Sequence, residues 1–186
     1  LPKGNPAKVY LLRTLGNLAH EMWDVTDPAK PARINTIVSG LEQTHKNWWE
    51  CDSGMAYLVS DGRPGGWRTN RMTKIYDLSD PANPRFIRDF GLPDQAPGST
   101  GTATPGVHGP ISMGNRVYFP YGTGADGALQ ILDRERLLAG DPRVPAAGRF
   151  APTRENLLYP QVGWMPMSPS WGGHTGFPVL GIAIGD

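Results

Sequence analysis

Apolar and polar residues alternate along this chain in short runs, none of which keeps a helical period for long. The runs KVYLLRTL (8–15), HEMWDV (20–25) and ARINTI (32–37) come first. HKNWWECD (45–52), MAYLVSDG (55–62), RMTKIYDLS (71–79) and RFIRDF (85–90) follow, then GPISM (109–113), RVYFPYG (116–122) and ALQILD (128–133). Each is rich in β-branched or aromatic residues and is closed by Gly, Pro, Asp or Asn, which predicts short antiparallel strands joined by tight turns. DRERLLAG (133–140) reads as a short helix. Residues 91–107 and 143–169 read as long irregular connections, and loops of that length are commonly functional.

The chain also repeats itself. MWDVTDPAKPARINTI at 22–37 matches IYDLSDPANPRFIRDF at 75–90, with Trp23 over Tyr76 and the Asp-Pro-Ala-x-Pro core in register at an offset of 76 − 23 = 53 residues. A looser third copy, LQILDRERL at 129–137, places Asp133 at the position of Asp77. In each full copy a strand ends at an Asp (24 or 77) able to cap its own turn. The first Pro (28 or 81) fixes φ for the bend, and the second (31 or 84) opens an outermost strand, where a missing N–H costs nothing in the ladder. A repeat of this length signals units that bury their faces only by stacking on neighbours. The predicted fold is all-β, a β-propeller of four-stranded antiparallel blades. About three blades are present: residues 1–37 end one blade, 45–90 form a complete one, 108–142 form another with a short helix, and 173–186 start the next. Because a propeller needs four or more blades to close, the chain reads as part of a longer protein.

The segments from Trp23 to Pro31 and from Ile75 to Pro84 resemble the LVIVD-repeat β-propellers, and more distantly the selenium-binding and methanethiol oxidase propellers. The resemblance covers nearly the whole chain, but its motif is structural. It implies a bacterial, exported protein, periplasmic or extracellular.

Composition removes several classes. The 24 glycines and 19 prolines fit a loop-rich all-β protein. A formal net charge of +1 gives no electrostatic case for nucleic acid. The single cysteine, Cys51, excludes an internal disulfide and a cysteine-cluster metal site. No run of about twenty apolar residues predicts a membrane span.

Three of the four histidines occupy equivalent places. His45, His108 and His174 each stand at the start of a first strand, separated by 108 − 45 = 63 and 174 − 108 = 66 residues. First strands line a propeller's channel, so these imidazoles are expected to converge at one mouth of it. Three neutral ring nitrogens from separate strands suit copper, zinc, iron or nickel and leave a position open. The alternative is that each His holds the channel rim through backbone hydrogen bonds. The resemblance to the methanethiol oxidase propellers, which carry a histidine-rich copper site, favours copper.

Other candidates read as structural. In a regular strand Glu50 and Asp52 face away from His45. Cys51 lacks a paired base and reads as a small buried residue. His20 reads as an inter-blade or surface residue, and Trp48 and Trp49 as packing on opposite faces. Gly122–Ala128 has too few carboxylates for a calcium loop and reads as a hairpin turn. GRPGGW (62–67) lacks the Lys-Ser/Thr of a phosphate loop.

Two functions follow as expectations. One is a binding scaffold or accessory subunit that presents loops 91–107 and 143–169 to other protein chains. The other is a metal-dependent, copper-like oxidoreductase acting on a small sulfur compound through His45, His108 and His174.

Overall fold

In a computed structural model of the chain, residues 7–122 and 126–182 are described. They form an all-β arrangement of three antiparallel sheets with three, four and four strands. The first sheet holds β1 (Tyr10–Leu15), β2 (Ala19–Asp24) and β3 (Ala32–Val38). The second is a meander of β4 (Thr44–Trp49), β5 (Met55–Ser60), β6 (Met72–Asp77) and β7 (Arg85–Phe90). The third holds β8 (Ile111–Met113), β9 (Arg116–Tyr121), β10 (Ala128–Asp133) and β11 (Gln161–Pro166). Two short helices, α1 (Arg134–Ala139) and α2 (Arg154–Leu158), lie between β10 and β11.

The repeated turns are built alike. Asp24 Oδ1 accepts from the Thr26 amide and Asp77 Oδ1 from the Ser79 amide, both at 2.9 Å. Asp27 and Asp80 then accept from the Ala29 and Ala82 amides, both at 3.0 Å. In the third copy Asp133 instead caps α1, accepting from the Arg136 amide at 3.0 Å. One Asp position therefore serves either as a turn or as a helix N-cap, because both need an oxygen facing free amides.

The middle sheet is covered on both faces. Ala56, Leu58, Tyr76 and Leu78 meet Leu12, Met22 and Ile34 of the first sheet. On the opposite face Tyr57, Val59, Ile75 and Phe90 meet Val117, Phe119 and Leu132 of the third. Period-2 alternation divides these residues between the two interfaces. Trp48 and Trp49 follow it: Trp48 packs toward the third sheet and donates to Ser112 Oγ at 2.7 Å, while Trp49 packs toward the first.

Two stretches differ from the sequence reading. Residues 143–169 are not one irregular loop, since they contain α2 and β11, which completes the third sheet along β10. At 173–186, where a further unit is expected to start, residues 173–182 form no strand, and 183–186 lie outside the described residues. The turn at Gly122–Ala128 also lies partly outside them.

Candidate functional site

His45 is the second residue of β4, where the ladder with β5 is irregular: Thr44 pairs with Ser60 and Asn47 with Leu58, leaving His45 and Lys46 opposite a single residue. Such a bulge breaks strict alternation and re-aims a side chain. The expected facing of His45 relative to Glu50 therefore does not apply, although alternation resumes from Asn47.

His108 is fixed by its backbone. Val107 bridges Tyr121, and the His108 amide donates to the Pro120 carbonyl at 2.9 Å. Gly109 follows because a Cβ there would lie 2.8 Å from both Cβ and Cδ of Lys46. Only glycine lets this segment lie against β4. Gly173 works similarly for His174: its amide donates to the Tyr121 carbonyl at 2.7 Å, and a Cβ would meet the carbonyl oxygens of Tyr121 and Ala128 at 2.8 and 2.9 Å.

These constraints bring the three rings into one row. The His45 and His108 centroids are 4.6 Å apart, edge to face, and those of His108 and His174 are 3.7 Å apart with their planes tilted by 33°. His108 is central and 3% exposed, His45 is half-buried and His174 is exposed. The His108 Nδ1 is buried without a hydrogen-bond partner. His174 Nδ1 lies 3.1 Å from Thr175 Oγ1, which also accepts from Lys46 Nζ at 3.0 Å.

The electrostatics keep His45 and His108 neutral. Burial is the main cause that lowers the pKa of His108 to about 4, with His174, His45 and Lys46 adding to it. Burial, then Arg71 and Lys46, lowers that of His45. Neutral imidazoles offer lone pairs to a metal, so the donor chemistry fits. The rings of His108 and His174 are close-packed and tilted by 33°. Among the described residues no group of three His, Cys, Asp or Glu side chains is placed to hold a metal ion.

The other candidates have structural employment. Glu50 accepts from Arg134 Nε at 2.9 and 3.0 Å, from Arg134 Nη2 at 2.5 Å, from Tyr57 Oη at 2.9 Å and from Ser53 Oγ. Burial pushes its pKa up, but hydrogen bonds led by that from Arg134 outweigh it and hold the carboxyl below its usual range. His20 is fully buried between the first two sheets, its Nε2 3.0 Å from Ser60 Oγ. Cys51 is exposed, not buried, in the turn after β4. The cationic neighbours Lys46 and Arg71 and the buried Arg88 escape a motif-based reading. For Arg88 a signal exists, a charge alternating with Phe86 and Phe90. No family model matches the chain, and no curated protein shows significant similarity to it.

Proposed function

We propose that the three sheets are blades of a β-propeller of the LVIVD-repeat kind, and that His45, His108 and His174 form a metal-binding site at the mouth of its channel. The blade reading is supported by the four-stranded meanders, the matching turns and the face-to-face packing of consecutive sheets. The metal reading is carried by one observation: three imidazoles spread over 129 residues of sequence, as 174 − 45, meet in a single row. Copper is the first candidate, with zinc and iron as alternatives suited to imidazole. When bound, such an ion supplies Lewis-acid or redox chemistry. The chain's own part is to hold His108 rigid and dry, to keep two rings neutral, and to place Lys46 and Arg71 where they attract an anionic ligand. Oxidation of a small sulfur compound is the activity to assay. On the family resemblance alone, the protein is exported, periplasmic or extracellular.

Titration of the metal-free protein with copper and with zinc tests the site. One equivalent is expected to bind, and His45→Ala, His108→Ala and His174→Ala are each expected to weaken binding. Binding indifferent to all three changes overturns the reading.

The scaffold reading has one observation of its own: Val162, Trp164 and Met165 on β11, inside 143–169, are 46%, 44% and 51% exposed. Apolar surface of this kind is a feature of contact sites.

A further inference from the structure

Among the described residues Arg88 is the largest fully buried side chain, 1% exposed. On β7 the pairing Ile75 to Arg88 and Tyr76 to Phe86 leaves Ile87 as an extra residue, and Arg88 turns inward toward α1. One terminal nitrogen, Nη1, donates to the Leu137 carbonyl at 3.2 Å, and Nε reaches only the neighbouring Asp89 carbonyl at 3.5 Å. The other terminal nitrogen, Nη2, is buried with no partner. The guanidinium lies between the rings of Phe90 and Phe150, 5.2 and 4.9 Å from their centroids.

No carboxylate among the described residues pairs with it. The adjacent Asp89 is held by Lys74 at 3.0 Å, and Asp77 by Arg85 at 2.7 Å. Burial lowers the Arg88 pKa to about 10, so the group is still charged at neutral pH. Asp89 acts on it electrostatically without pairing, and a buried charge left outside an ion pair is costly.

Arg88 also lines a cleft of about 280 Å³ at the edge of the second sheet, walled by Trp67, Phe86, Ile87, Phe150 and Pro152, with Asp89, its carboxylate neutralised by Lys74 at 3.0 Å, as the other charged lining residue. A mostly apolar cleft with a few polar groups is the usual form of a small-ligand site, and here Arg88 is the group with an unused donor. Phe150, half-buried over the guanidinium, is the ring an incoming group would displace.

We propose that this cleft binds a small monocarboxylate with an apolar or aromatic body, its carboxylate accepting from the unpartnered Nη2 of Arg88. One guanidinium matches one negative charge, and a fork of parallel N–H donors matches a carboxylate. The apolar walls take the body of the ligand and disfavour a dianion such as phosphate. This site shares no residue with the three histidines and does not depend on them.

The test is a titration of 15N-labelled protein with sodium benzoate, following the Arg88 Nε–Hε and Trp67 Nε1–Hε1 resonances, with sodium phosphate at equal ionic strength alongside. Benzoate is expected to shift both resonances saturably and phosphate neither. Absence of a saturable shift with benzoate, or an equal shift with phosphate, overturns the proposal. Arg88→Met is expected to weaken benzoate binding by on the order of tenfold or more, the loss of a charge-assisted hydrogen bond. Unchanged binding in that variant also overturns it. Replacing a buried charge by an apolar side chain of similar size is often neutral for folding. Should the variant nevertheless fail to fold, the wild-type titration decides alone.

Discussion

Glu50 and His20 are both buried ionisable groups, yet they act on stability in opposite ways. Glu50 is charged and paired, joining the second sheet to α1 through Arg134. Removing one member of such a pair strands the other, so Glu50→Ala is expected to cost about 3 kcal/mol. In urea this appears as a lower midpoint with an unchanged slope. His20 is buried neutral. Burial lowers its pKa from 6.5 to about 4, against smaller upward pulls from the Val59 backbone and Asn47. The unfolded chain therefore binds the proton first, and stability from this group is complete above pH 6.5 and falls as the pH drops toward 4. The loss amounts to about 3 kcal/mol. Unfolding measured across that window is expected to show the slope, and His20→Gln to reduce it, the remainder coming from the similarly lowered His108.

At the scale of the element, the strands and turns were open to reading because their causes are local. Alternation marked β1 to β10, and Asp, Pro and Gly marked the turns between them. The segment QVGWMP gave no such signal, since β11 forms by pairing with the free edge of β10 and not by its own propensity. Helix α2 does carry a local start signal, the N-cap Thr153, whose Oγ1 accepts from the Asn156 amide at 3.3 Å. The histidine site was partly legible: equivalent repeat positions indicated which residues meet. The bulge at His45 and the close approaches at Gly109 and Gly173 were not, because they depend on contacts between segments distant in sequence. Those approaches are testable. A Cβ at Gly173 has backbone oxygens at 2.8 and 2.9 Å, so Gly173→Ala must shift the chain that carries His174. This variant is expected to lose roughly tenfold or more in metal affinity, with thermal stability nearly unchanged. Equal affinity in Gly173→Ala and wild type contradicts the positioning role.

For the whole molecule, three sheets in chain order share two interfaces, and the histidines are brought together by the third sheet meeting the second. His45 belongs to β4 of the second sheet, His108 precedes β8, and His174 is carried over the ends of β9 and β10. The site thus depends on the interface, not on any one sheet. Because the three rings meet across this contact between the second and third sheets, a change that loosens it is expected to scatter them together. The most direct test of the central claim is the metal content of the protein as isolated, measured beside His108→Ala. Copper, zinc or iron is expected near one equivalent per chain, lost in the variant while circular dichroism still reports the β-sheet fold. A folded protein that holds no metal as isolated and takes up none on titration would contradict it, leaving the three imidazoles as a structural row.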